Sequence, residues 1–286
     1  MIISKRRLVL FVPICLVLFF LSVLLYGHLW ERKNVEETHL QWELPTWQGR
    51  SLTMVVLSDL HLRPEDGDYI DRIVARTLEL QPDAILLLGD YYNGHLPQDS
   101  MEDAEMIRHL RPLTQRPCFA VLGNHDEYHG IAKSKQLLRD TGIPDVTGKS
   151  FALKIDGHQL RIGGVHCTVQ FSRGATVPAP EAGVPFLLLS HSPDIIGHAK
   201  PGTDLILAGH THGGQVCLPW GKPFGPDWFL GVPAKRSSGL VQEQGQSMYV
   251  SRGLGTSILP LRLFCRPELL VLHLTPGDAS QPPEQK

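Results

Sequence analysis

A surplus of charge of either sign is missing from this 286-residue chain, where 27 Lys+Arg stand against 29 Asp+Glu. Without a basic excess there is no electrostatic footprint of a nucleic-acid binder. Hydrophobic residues make up 42% of the chain, so the low apolar content and high net charge of a disordered polypeptide are also missing. The five cysteines, Cys15, Cys118, Cys167, Cys217 and Cys265, stand far apart, and no C-x-x-C zinc or dithiol spacing exists. They suit disulfides and buried thiols equally and leave the compartment open. No internal repeat occurs, and no break in composition marks a linker between residues 50 and 275. Length and patterning therefore point to one α/β domain with an appendage.

The appendage is N-terminal. Leu8 to Gly27 is a run of twenty residues without a charge, which as a helix spans about 30 Å, the thickness of a bilayer's hydrocarbon core. Pro13 near its start is tolerated in a membrane helix. Gly27-His28-Leu29-Trp30 and the charged Glu31-Arg32-Lys33 contain no small-x-small cleavage site, so the run reads as an uncleaved anchor with Tyr26 and Trp30 at one interface. Lys5, Arg6 and Arg7 precede it and Arg32 and Lys33 follow; three against two favours the N-terminus inside and the domain outside. All the acids but only 24 of the basic residues lie beyond residue 30, a field that offers polyanions nothing. The expected organisation is a basic N-terminus at 1–7, an anchor at 8–27, a linker at 28–50, a domain at 51–275 and a polar tail at 276–286.

From Leu52 the chain alternates short apolar runs with amphipathic stretches. Residues 52–58, 84–88, 118–122, 186–189 and 204–208 are apolar at nearly every position, the pattern of strands buried on both faces. Residues 68–80, with Ile70, Ile73, Val74 and Thr77 at helical spacing, and 99–111 and 131–140 are expected as helices. Residues 151–155, 160–164, 215–218, 248–251 and 268–274 read as further strands.

Each buried run ends in residues of metal-ligand type. Leu57-Ser58 leads to Asp59-Leu60-His61, Leu88 to Gly89-Asp90, Leu122 to Gly123-Asn124-His125-Asp126, Ser190 to His191, and Ala208 to Gly209-His210-Thr211-His212. In α/β sheets the crevice beyond the carboxyl ends of the strands is the ligand site, so these residues can meet across 150 positions of sequence. Any one fragment is explained as a turn. Two carboxylates, an amide and several histidines at the ends of five apolar runs are not.

The ordered set D-x-H, G-D, G-N-H-D, H and G-H-x-H resembles the calcineurin-like metallophosphoesterase superfamily over roughly residues 52 to 275. The resemblance implies a four-layer αββα sandwich of two mixed sheets flanked by helices, with two divalent metal ions at the rim. It implies that Asp59, His61 and His212 hold one ion, Asn124, His191 and His210 the other, and that Asp90 bridges them. It also implies that His125 contacts the phosphate and protonates the leaving oxygen, with Asp126 orienting its ring. A carboxylate bridge keeps two cations about 3.5–4 Å apart, close enough to activate a shared water and clamp a phosphoryl group. Mixed N/O ligation without thiolate favours manganese, with iron or zinc open.

Arg63, Asn93, Arg252 and Arg262 are candidates to bind the substrate phosphate. His166 and Cys167, at an expected strand end, read as structural. The segments Gly209 to Gln215 and Ser251 to Arg262 resemble the bacterial membrane-associated branch, which implies a phosphodiesterase or a UDP-2,3-diacylglucosamine pyrophosphatase of lipid A synthesis, placed in the inner membrane. The favoured partner is a lipid-linked phosphoester, and Trp220, Phe224, Trp228, Phe229 and Leu230 are candidates for a lid over acyl chains. A broad phosphodiesterase of cell-envelope or nucleotide substrates is the alternative. A non-catalytic scaffold would be expected to have lost ligands, and this chain has not.

Overall fold

The computed structural model describes residues 5–165, 176–225 and 231–277. In chain order the first half comprises α1 (Lys5–Leu29), β1 (Glu36–Leu44), β2 (Leu52–Leu57), α2 (Gly67–Glu79), β3 (Ala84–Leu87), α3 (Asp103–Leu110), β4 (Cys118–Ala120), α4 (Asn124–Tyr128) and α5 (Ile131–Thr141). The second half is strand-rich, with β5 (Ser150–Ile155), β6 (His158–Val165), β7 (Phe186–Ser190), β8 (Leu205–Ala208), β9 (Gly239–Glu243), β10 (Gln246–Val250) and β11 (Glu268–Pro276).

The strands form two mixed sheets, one in the order β1-β11-β2-β3-β4 and the other β5-β6-β7-β8-β10-β9. Strands β2, β3 and β4 run parallel, as do β6, β7, β8 and β10. Their carboxyl ends therefore point to one rim. Between the sheets lies a core that includes Met54, Val56, Leu86, Leu187, Leu189, Leu205, Leu207 and Leu272. The amphipathic faces of α2, α3 and α5 cover the outer side of the first sheet with Ile70, Ile73, Met106, Leu137 and Leu138. The outer side of the second sheet packs beneath the 3-10 turn Pro193–Ile195 with Ile196 and Ala199. These are two mixed sheets flanked by helices.

Three sequence expectations change. The segment 28–50 is not a linker, because β1 pairs in parallel with β11 from Glu36↔Glu268 to Leu44↔Pro276 and forms the edge of the first sheet. The helix expected at 99–111 is shortened to α3 and framed by the 3-10 turns Pro97–Asp99 and Arg111–Gln115; Pro112, lacking an N–H, cannot extend α3. Residues 215–218 make only the isolated bridges Val216↔Leu263 and Cys217↔Pro223. His166, Cys167, Trp228, Phe229 and Leu230, and the tail beyond Gly277, lie outside the described residues.

Among the described residues one helix, Val12–Lys33, is long and apolar enough to cross a membrane by length and composition. Its apolar side chains, such as Leu16, Phe19 and Leu25, are exposed rather than packed on the domain.

Candidate metal centre

Backbone conformation at the rim departs from what L-residues prefer. Asp59, His61, Asp90, His210 and His212 all have positive φ, between 41° and 73°, a region that costs a non-glycine residue free energy and clusters at functional sites. The tight turns that result aim the side chains inward across the strand ends. Main-chain bonds from Asp59 N to Gly89 O (3.0 Å) and from His61 N to Asp90 O (3.0 Å) tie the turn after β2 to the turn after β3.

Glycine is required where the chain passes the carboxylates. A Cβ at Gly123 would overlap Asp90 Oδ1 and approach His191 Cε1 to 2.7 Å, and one at Gly209 would reach Asp59 Oδ2 at 2.5 Å. The two glycines make room for the acids.

Eight side chains are thereby brought together. Asp59, His61 and His212 place ligand atoms within 4.8 Å of one another, as do Asp59, Asp90 and His191, and His61, Asp90 and His125. Asp90 stands between the groups, with Oδ2 at 3.4 Å from His61 Nε2 and 3.3 Å from His191 Nε2. His212 Nε2 lies 3.0 Å from His61 Nε2 and 3.6 Å from Asp59 Oδ1. Asn124 Oδ1 is 3.0 Å and His210 Nδ1 3.3 Å from His191 Nε2.

The protons explain why this cluster needs a cation. His61 Nδ1 donates to Tyr92 O (3.1 Å) and His191 Nδ1 to Leu88 O (2.8 Å). In a neutral ring this leaves the Nε2 lone pair bare, and each is aimed at carboxylate, amide oxygen or another imidazole. Burial holds His61 and His212 well below the usual histidine range and brings His210 down to about 4. Burial also opposes a proton on His191, but the adjoining Asp90 and Asp59 outweigh it and raise that ring to about 10. Burial would raise Asp90, yet His191, His61 and His125 hold it far below the carboxylate range. Apart from the proton that Asp90 and Asp59 hold on His191, the inward-facing side-chain atoms are acceptors gathered around buried carboxylates, a set of oxygens and imidazoles that fits divalent metal.

His125 N donates to Asp90 Oδ1 (2.8 Å), and its ring meets His61 edge-on with centroids 4.6 Å apart. Its Nδ1 donates to Gly94 O (2.9 Å). The expectation that Asp126 orients this ring is corrected here. The Asp126 carboxylate accepts instead from Asp90 N (2.8 Å), Tyr91 N (2.9 Å) and Gly123 N (2.8 Å), so it pins the two turns carrying Asp90 and His125. Burial and the nearby Asp90 charge raise its pKa.

The expectation that Arg252 and Arg262 clamp phosphate is corrected too, since both are already engaged. Arg252 Nη2 binds Glu36 (3.0 Å) and Glu268 (3.2 Å). Arg262 is fully buried and donates to the carbonyls of Gly255 (2.7 Å), Arg252 (2.7 Å), Cys265 (3.1 Å) and His212 (3.3 Å). It braces the turn that presents His212. Arg63 Nη2 reaches Thr256 O at 3.4 Å. Asn93 turns toward residues 99–100 through bonds to Asp99 O and Ser100 Oγ.

The sequence reading missed His95 and Tyr128. Both are exposed, and their rings pack at a tilt against each other (centroids 4.6 Å apart), with His95 tilted against His125 (5.4 Å) and Tyr128 edge-on to it (5.3 Å). Tyr128 follows His125 by three residues on α4, a spacing that shares a helix face and could have marked it.

Residues 52–214 match the family described as calcineurin-like phosphoesterase. The chain is 35% identical over 234 residues to phosphodiesterase YaeI of Escherichia coli, covering 77% of this chain and 81% of that protein. It is 26% identical over 283 residues to the UDP-2,3-diacylglucosamine pyrophosphatase LpxG of Chlamydia trachomatis, covering 76% and 83%. Among solved structures it resembles Yfce, a phosphoesterase from E. coli, with a TM-score of 0.39 at 14% identity over 72% of this chain and 82% of that one.

Proposed function

The chain belongs to the calcineurin-like phosphoesterase family and is a metal-dependent phosphoester hydrolase, and from that premise we propose that it is anchored in a bacterial inner membrane by α1 and hydrolyses a phosphodiester or pyrophosphate bond in a lipid-linked substrate. In this reading Asp59, His61 and His212 hold one divalent cation, Asn124, His191 and His210 hold the second, and Asp90 lies between them. The observation that carries it is the placement of Asp90 Oδ2 at 3.4 and 3.3 Å from two imidazole nitrogens of different sheets. Manganese suits the mixed N/O donors, with iron or zinc as the other candidates. When bound, the cations supply Lewis acidity that activates water and neutralises charge on the phosphoryl oxygens.

The chain's own groups do the rest. His61 and His191 are locked in one orientation by the Tyr92 and Leu88 carbonyls. Asp126 holds the Asp90 and His125 turns in register through three main-chain N–H groups. His125, with Nδ1 fixed on Gly94 O, keeps Nε2 for the proton that the leaving oxygen takes up, the role of a general acid. His95 and Tyr128 flank it and are placed to contact the leaving group.

A tether in the bilayer raises the effective concentration of lipid-linked phosphoesters. The similarity to a protein named for UDP-2,3-diacylglucosamine supports a lipid-linked pyrophosphate. The charge bias around α1 and the similarity to a phosphodiesterase favour a second reading, a broader diesterase of envelope or nucleotide substrates on the outer side. The test is hydrolysis by detergent-solubilised protein with Mn²⁺, comparing UDP-2,3-diacylglucosamine with bis-p-nitrophenyl phosphate and using Asp90→Ala as control. Release of UMP that the variant loses supports the first reading. Cleavage of the simple diester alone supports the second, and no metal-dependent turnover of either sinks both. A C-terminal alkaline phosphatase fusion, active only outside, assigns the side.

A further inference from the structure

We propose that loop 256–264, with the neighbouring hairpin 216–224, is a second membrane contact that lies in the headgroup layer of the bilayer crossed by α1 and holds the metal centre against that layer. The inference rests on α1 being an anchor and adds a surface that the anchor alone does not require.

The first observation is exposure. Ile258 is 80% exposed, Leu259 60% and Phe264 52%, while Trp220 and Phe224 of the hairpin are 68% and 64% exposed. A single exposed apolar residue needs no explanation, but a contiguous set marks an interaction surface.

The set is contiguous. Val216 bridges Leu263, Cys217 N donates to Leu263 O (2.8 Å), and Leu263 N donates to Gln215 O (3.1 Å). Phe224 N donates to Val216 O (2.8 Å), closing the hairpin that carries Trp220. The Gln215 side chain clips the loop from beneath, accepting from Ser257 N (2.8 Å) and donating to Leu259 O (2.8 Å).

The loop is held outward against local preference. Ile258 has φ 60° and Phe264 φ 53°, conformations in which a β-branched or bulky residue is an outlier. Strain of this kind persists where the surroundings impose it.

What covers the surface follows from its neighbour. His28 Nδ1 donates to Pro260 O (2.7 Å), Arg262 N to Gly27 O (3.4 Å), and Cys265 N to the buried Glu31 carboxylate (2.8 Å). Gly27 lets the strands of chain touch, since a Cβ there would come within 2.6 Å of the Leu261 side chain. The loop is thus fastened to the last turn of α1, beside the exposed Leu29 and Trp30. If α1 crosses a bilayer, this is the level at which it leaves the hydrocarbon, where tryptophan and other aromatic residues settle. A soluble partner or a second copy would have to displace lipid to reach it.

The same loop reaches the metal centre from its other side. Gly255 N donates to Asp59 O (2.6 Å), Leu254 N to Ser58 O (2.9 Å), and the buried Arg262 ties Gly255 O to His212 O. A contact that seats the loop in the headgroups therefore keeps the rim of the metal centre close to the bilayer surface.

The experiment uses the full chain in vesicles of phosphatidylethanolamine and phosphatidylglycerol containing nitroxide-labelled phosphatidylcholine. An environment-sensitive fluorophore is attached through Leu259→Cys or, as control, Lys154→Cys, each in a chain carrying Cys15→Ser and Cys167→Ser. Lys154 is exposed and lies next to the β5–β6 turn, at the end of the second sheet opposite the metal centre. The label at 259 is expected to be quenched by lipid nitroxide at a depth of about 5–10 Å below the headgroups, and the label at 154 not at all. Equal quenching at the two positions overturns the proposal, and so does a label at 259 shielded from both lipid nitroxide and aqueous iodide, which reports a protein partner. Ile258→Asp with Leu259→Asp is expected to reduce quenching of a label at Phe224→Cys while leaving turnover of bis-p-nitrophenyl phosphate unchanged. Flotation after carbonate extraction tests the anchor separately. Protein that floats with an unquenched 259 label sinks this proposal alone, and protein that fails to float removes the anchor reading with it.

Discussion

The two ends of the parallel strands treat charge in opposite ways. At their amino ends Arg50, about half exposed, bonds Asp83 (2.5 Å) and Asp156 (3.0 Å), linking the start of β3 to the β5–β6 turn at the surface. These charges have partners of opposite sign and access to water. At the carboxyl ends Asp59 and Asp90 are buried among imidazoles with no arginine or lysine ion pair among the described residues, and the backbone that presents them is strained. A fold selected for stability alone would bury no such set, because each ion taken from water costs several kcal/mol even where it finds a partner. The amino-end arrangement maintains structure, and the carboxyl-end arrangement makes sense only with cations between the donors.

The comparison is broken most severely by Asp90→Ala, which removes the carboxylate proposed to lie between the two cations. Loss of several kcal/mol of transition-state charge stabilisation corresponds to a fall of about 10⁴-fold in turnover. Steady-state kinetics with Mn²⁺, beside metal content by mass spectrometry, measures it, and turnover within tenfold of the parent chain would refute the assignment.

Gly123→Ala tests the same point without touching a ligand. Its Cβ would displace Asp90 and the His191 ring, and a misplacement on the scale of 1 Å is expected to cost about 10²-fold in rate. Retained rate and metal affinity would mean that the turn has slack.

A smaller effect comes from metal removal. Chelation is expected to lower the melting temperature, and a cation at 100 times its dissociation constant restores about 2.7 kcal/mol. His191, raised to about 10 by Asp90, carries a proton at pH 7 in the metal-free protein and must release it to coordinate. Affinity should therefore rise with pH from 7 toward 10, with proton release visible as a buffer-dependent heat in titration calorimetry. A pH-independent affinity would place the proton elsewhere.

The smallest effect is expected at the opposite end. Arg50→Ala breaks exposed pairs, which contribute little. Turnover should be unchanged and thermal melting nearly so; a large loss of either would erase the contrast between the ends.

Much of this contrast is legible in one dimension. Runs such as 84–88 and 186–189 are apolar at every position because both faces of the strand are buried, and the ligand types begin where the apolar residues stop. Strand β1 is not legible in this way. Its partner β11 is more than 200 residues away, and its mixed residues Glu36, Thr38, Leu40 and Trp42 read as a polar lead because an edge strand buries only part of one face. Arg262 is illegible for another reason, since an arginine fully buried among main-chain carbonyls looks in sequence like any surface cation. Asp126 misleads because its position beside His125 suggests a side-chain partner, whereas the start of α4 turns its carboxylate onto the main chain of the neighbouring turns.

By itself the sequence determined the chemistry, because metal ligation depends on residue types and buried strands declare themselves by composition, and it determined the apolar length of α1. Only the tertiary structure decided which donors come within reach of one another, which acid holds the turns and which arginine braces them. It also set the exposed loop 256–264 against the end of α1, because such choices depend on contacts between residues that the chain order keeps tens to hundreds of positions apart.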